Sequence, residues 1–181
     1  MHMATRTWRW TRKDLARMPH DGNRYEVLDG ELLVTPQAAY EHQHVATAIL
    51  VRLVAYCDDL GIAEALGPGA VIWDKNELQP DIQVIPGTHE SRRGATWEEL
   101  PASLLVVEVL SDSTSRRDLG KKREAYLRLK IPTYWIVDGV EQSVLVWSAA
   151  SLEPEVVTDV LRWTPYAELP PLEIPLKTIF A

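Results

Sequence analysis

The hydrophobic pattern changes period several times along these 181 residues, and each change marks an element. Arg24–Leu28 and Glu31–Thr35 are short β-rich runs about Asp29-Gly30, a dipeptide suited to the positive φ angles of a tight hairpin. Pro36 ends the second run. From Ala39 to Leu60 the pattern becomes helical: Val45, Ala48, Ile49, Leu53 and Tyr56 fall on or near one face, and Gly61 is placed as the C-terminal cap. Upstream, Thr11 with Asp14 predicts an N-capped short helix ending near Pro19. Three short strands are expected at Ile62–Leu66, Ala70–Trp73 and Ile82–Ile85, the first two parted by Gly67-Pro68-Gly69. The polar stretch Pro86–Ala95 predicts a mobile surface loop.

Leu104–Leu110 is an apolar run interrupted by one acid, Glu108, and reads as a buried central strand. A helix over about Thr114–Lys130 follows and stops before Pro132. Tyr134–Val137 and Val144–Trp147 form a strand pair about Asp138-Gly139, and Val156–Trp163 predicts an edge strand. Pro165, Pro170, Pro171 and Pro175 predict a largely irregular tail. This order indicates an α/β (α+β) fold: a central mixed β-sheet flanked by helices, with an N-terminal β-hairpin. Leu104–Leu110, the helix and Tyr134–Val137 have the length of a right-handed βαβ crossover. The chain reads as one domain over 1–181, with a core at about 24–148 on which the first helix and the Pro-rich tail pack.

Composition narrows the function classes. The 46% apolar and 25% charged content is that of an ordinary water-soluble chain, and no run nears the roughly 20 apolar residues of a membrane helix. The opening MHMATRTWRW lacks the apolar core of a secretory signal. A single cysteine, Cys57, excludes an intrachain disulfide, fits a cytoplasmic setting and reads as a buried structural thiol. The net charge of −7 argues against binding nucleic acid through a broad basic surface. A local cluster of Arg116, Arg117, Lys121, Lys122 and Arg123 is either a phosphate-facing patch or a solvated helix face.

Two acids carry the candidate chemistry. Glu108 lies inside an apolar run, where a carboxylate is costly unless paired or bound to a metal. Asp81 follows Pro80, which marks a strand start, and alternation puts Asp81 and Gln83 on one face. On neighbouring strands the two acids would meet and repel unless a cation sat between them. Hard oxygen donors favour Mg²⁺ or Mn²⁺. Asp118, Lys122 and Tyr126 recur at i, i+4, i+8, so Lys122 is either part of the centre or merely the ion-pair partner of Asp118.

The ordered set RYEVLDGELLV, Glu41-His42-Gln43, Pro80-Asp81, VVEVLSDST, D-x-x-x-K-x-x-x-Y and IPTYWIVD resembles the Uma-type family of putative restriction endonucleases. That family belongs to the PD-(D/E)XK nuclease superfamily. The resemblance runs from about Arg24 to Trp147. It implies a restriction-endonuclease-like core, with Asp81, Glu108 and Glu31 as metal ligands, His42 lining the same cleft, and Lys122 as the lysine that orients or activates water. Glu26, on the preceding strand, competes with Glu31. The chain departs from the superfamily at Leu110, where the lysine usually stands two residues after the second acid. Thr133 replaces the family's usual acid before Tyr-Trp.

The leading expectation is a Mg²⁺-dependent endonuclease acting on DNA, working as a homodimer if it cuts both strands. Two alternatives stand beside it: a non-catalytic interaction or assembly module on the same fold, and a hydrolase of a small phosphate ester.

Overall fold

The computed structural model describes residues 9–111, 116–149 and 151–181, and only the backbone of 116–118. A short helix, Arg12–Leu15 (α1), is closed by the reciprocal Thr11–Asp14 capping box. Arg24–Leu28 (β1) and Glu31–Thr35 (β2) form the expected hairpin, with Asp29 at φ 52° and Gly30 at φ 84° supplying both left-handed positions of the turn. Tyr40–Leu60 (α2) ends at Gly61, whose φ of 63° makes it a left-handed cap.

Ala63–Leu66 (β3), Val71–Trp73 (β4), Asn76–Leu78 (β5) and Ile82–Pro86 (β6) follow. Then come Leu105–Val109 (β7), Arg116–Arg128 (α3), Thr133–Asp138 (β8) and Ser143–Ser148 (β9). Glu155–Val157 (β10), Val160–Trp163 (β11) and Leu172–Pro175 (β12) complete the strands. Residues 112–115, which include the expected helix start at Thr114, fall outside the described residues. The six-stranded sheet runs β10-β9-β8-β7-β6-β3, with β7 and β8 parallel across the α3 crossover and its other pairs antiparallel. The mixed sheet matches the expected fold class. A four-stranded sheet, β2-β1-β5-β4, stands apart from it, and β11 pairs with β12 as a separate ribbon.

The structure departs from the expected pattern at four places. Asn76–Leu78 is a strand that the pattern did not reveal, because Asn and Glu are poor strand formers. It draws β4 into the hairpin's sheet rather than the central one. The Val156–Trp163 run breaks near Asp159: β10 edges the large sheet, while β11 leaves it. The tail is ordered. Pro175 takes the last position of β12, where a missing N–H is tolerated, and Ile174, Leu176 and Ile179 are buried in the main core. The 86–95 stretch also closes into a 3-10 turn at Glu90–Arg92, with Arg92 bonded back to the Gly87 carbonyl.

Two apolar clusters flank the large sheet. One joins α2 (Val45, Ile49, Leu53) to Ile82, Val84, Val107, Trp135 and Val137, with the tail completing it. The other packs Leu119, Ala125 and Tyr126 of α3 between Val106, Tyr134 and Ile136 of the sheet and Leu28, Leu33 and Leu78 of the small sheet. That second packing brings β1 over the end of β7. Among the described residues no helix is long and apolar enough to cross a membrane.

Candidate active site

The β6–β7 register pairs Ile82 with Val107 and Gln83 with Val106. One further step sets Asp81 opposite Glu108, on the same side of the sheet. Pro80 explains the position: it cannot donate to a ladder, so β6 starts after it and Asp81 sits at the strand's mouth. Both acids are buried, at 7% and 4% exposure.

Asp81 is held on three sides. Its Oδ1 accepts from Arg24 Nη2 at 2.7 Å. Its Oδ2 accepts from the Val109 amide at 2.8 Å and meets His42 Nε2 at 3.1 Å. Burial alone would raise its pKa, but His42, Arg24 and the Val109 amide outweigh burial and hold it down at about 2. Glu108 goes the other way. Burial dominates, and despite the nearby Lys122 charge it is pushed up to about 7, with Asp81 and Glu26 adding repulsion. Two neighbouring carboxyls with pKa values driven apart are a frequent mark of a functional pair.

Lys122 reaches this pair from α3. Its Nζ lies 2.9 Å from Glu108 Oε1 and 2.9 Å from Glu26 Oε1, at 4% exposure. Burial favours the neutral amine, but Glu108 and Glu26 prevail and keep the ammonium charged far above neutral pH. Position 110 is Leu, and the positive charge beside Glu108 comes from Lys122 on the following helix. The partner of Lys122 is this acid pair; the side chain of Asp118 lies outside the described residues. Tyr126 also donates from Oη to Glu108 Oε1 at 3.1 Å.

These groups line a cavity of about 210 Å³ walled by Arg24, Glu26, His42, Asp81, Glu108 and Lys122. Glu31 stands at its exposed rim, paired with Lys121 at 2.5 Å. Glu26 is the deeper of the two competing acids: it is fully buried, receives the Gln79 amide at 2.7 Å, and leaves its Oε2 without a partner. His42 likewise leaves Nδ1 unpartnered. Sequence reasoning passed over Arg24. Alternation along β1 puts Arg24 and Glu26 on one face, and that spacing was the available signal.

The basic cluster does not form a phosphate-facing stripe among the described side chains. Lys122 is buried, Lys121 is neutralised by Glu31, and Arg123 lies 3.6 Å above the Trp147 ring. Those of Arg116 and Arg117 lie outside the description. Cys57 is buried in the α2 core, and its thiol is pushed up to about 11 by burial and Asp58, as suits an inert structural group.

Among the described residues, no three or more His, Cys, Asp or Glu side chains group closely enough to hold a metal ion. Asp81 and Glu108 nonetheless fit a cation that takes only one or two carboxylates and completes its shell with water and phosphate, as Mg²⁺ commonly does. The raised Glu108 and the orphaned Glu26 oxygen both mark a place short of positive charge or donors.

Residues 12–177 match the Uma2 family, described as putative restriction endonuclease. No functionally curated protein matches the chain. Among solved structures, a putative nuclease of the DUF820 group from Anabaena variabilis superposes with a TM-score of 0.77 at 20% identity, covering 94% of this chain and 97% of that one. At that identity the likeness establishes a shared fold.

Proposed function

This chain belongs to the Uma2 family of putative restriction endonucleases, and from that premise we propose that it is a divalent-cation-dependent endonuclease that hydrolyses phosphodiester bonds of DNA. The observation that carries the reading is the meeting of Asp81, Glu108 and Lys122 in one buried cavity. They come from two strands and a helix, and Lys122 supplies the charge that position 110 lacks.

Asp81 and Glu108 would hold Mg²⁺ or Mn²⁺. When bound, such an ion lowers the pKa of a coordinated water and neutralises phosphate charge. The chain's own residues do the rest. Lys122, kept protonated by Glu108 and Glu26, offers a fixed positive charge to the phosphate oxygens as their charge grows. His42 and the Val109 amide fix the orientation of Asp81, and Tyr126 fixes that of Glu108. Glu31, at the rim, would serve as a further metal ligand or water anchor. Cutting both strands of a duplex calls for two such sites, which favours a homodimer.

The test is single-turnover cleavage of mixed-sequence DNA in Mn²⁺. Asp81→Asn keeps the shape and removes the charge, and should lower the rate by about 10²–10³-fold, the range typical of losing one preorganised electrostatic group. A folded wild-type protein that cuts neither DNA, RNA nor a small phosphate ester would replace this reading with the non-catalytic module.

A further inference from the structure

Arg24 occupies the place where a cation would be most useful. Its Nη2 bonds Asp81 Oδ1 at 2.7 Å, while Nη1 bonds the Gln79 carbonyl at 2.8 Å. The other Asp81 oxygen is already engaged by His42 and the Val109 amide. Oδ1 is therefore the oxygen open to exchange. Arg24 is about one-fifth exposed and lines the cavity, whereas Asp81 is nearly closed off. A guanidinium and a divalent ion on the same carboxylate repel strongly where solvent screens so little.

We infer that Arg24 is a displaceable counter-ion: it neutralises Asp81 until a divalent cation takes Oδ1, and the released guanidinium then anchors the substrate phosphate. The inference rests on the metal-dependent reading above. Its physical basis is the two-point attachment. Losing the Asp81 bond leaves Nη1 on the Gln79 carbonyl, so the group is tethered at the cavity wall. The freed edge of a guanidinium is a planar fork that matches two phosphate oxygens. The exchange spares Asp81 an unpaired buried charge in the metal-free protein. It also couples metal loading to the appearance of a phosphate site.

The experiment measures Mn²⁺ binding by calorimetry on folded wild type, Arg24→Met, Arg24→Lys and Asp81→Asn, alongside KM and kcat for DNA cleavage. Arg24→Met should bind Mn²⁺ at least about tenfold tighter, because the competing charge has gone. Its KM for DNA should nevertheless rise several-fold. A merely structural arginine would weaken both. Arg24→Lys keeps a charge but loses the fork, so its Mn²⁺ affinity should stay near wild type while KM rises; this variant carries the test if Arg24→Met fails to fold. Equal or weaker Mn²⁺ binding by Arg24→Met, with Asp81→Asn abolishing binding, overturns the displacement and leaves the nuclease reading standing. An unchanged KM in Arg24→Lys overturns the phosphate anchor. No Mn²⁺ binding by wild type or the arginine variants overturns the metal-dependent reading and this inference with it.

Discussion

On the α2 face of the six-stranded sheet, Ile82, Val84, Val107, Trp135 and Val137 meet Val45, Ile49 and Leu53 in apolar contact throughout. On the α3 face, Val106, Tyr134 and Ile136 share the same depth with Glu108, Lys122 and Glu26. The first face needs only matching shapes, because burying apolar area is favourable by itself. The second also buries ionisable groups, whose desolvation has to be offset by their mutual contacts. A core designed for stability alone would fill that space with apolar side chains. The retained charges are what the proposed site would use, and the α2 face is the scaffold beneath it.

The strongest way to break this comparison is to remove the cation that Glu108 and Glu26 share. Lys122→Met leaves Glu108 and Glu26 without their shared partner, and should cost about 3–5 kcal/mol in urea unfolding, the range for breaking a buried ion pair. Adding Glu26→Gln should recover part of that loss. A cost under about 1 kcal/mol would mean that the trio is not a coupled unit.

A pH series sharpens the same contrast in chelated, metal-free buffer. Glu108 is raised to about 7 from its usual 4.5, so between those values the folded protein holds a proton that the unfolded chain has released. Its contribution is complete below about pH 4.5 and is lost as pH rises to about 7. Asp81, held at about 2, has the opposite sign: its contribution is present above 3.8 and is lost as pH falls through 2, outside that window. Glu108→Gln should flatten the decline between pH 4.5 and 7, an effect of at most a few kcal/mol. The same decline in both proteins would reject a protonated Glu108.

The smallest effect belongs to the apolar face. Ile49→Val deletes one buried methylene and should cost about 0.5–1.5 kcal/mol, with no change in cleavage rate per folded molecule. A change in rate would show that the scaffold and the site are not separable.

Local pattern carried the elements whose physics is local. Asp29-Gly30 names its turn because few other pairs tolerate two positive φ values, and Gly61 names the end of α2 for the same reason. Leu105–Val109 was readable as buried, and Glu108 within it as an anomaly. Pro80 marked where β6 begins. The α2 boundary came within one residue, at Tyr40 rather than Ala39. What remained unread depends on partners far along the chain. Asn76–Leu78 is a strand only because β1 and β4 flank it. The proline-rich tail is ordered only because β11 pairs with β12 and the core receives Ile174 and Leu176.

The site divides along the same line. Local pattern marked Glu108 as an anomalous carboxylate, left Asp81 open between a strand-start residue and a ligand, and set Lys122 on a helix after them. Only the tertiary structure decided that the β6–β7 register sets the acids face to face, that α3 turns Lys122 toward Glu108, and that the small sheet lowers Arg24 and Glu26 onto both. The reason is one of range. Turn and strand preferences act over a few residues, whereas the meeting of these groups is fixed by the burial of Leu28, Leu33 and Leu78 against α3, a contact between segments with no neighbourhood in the chain.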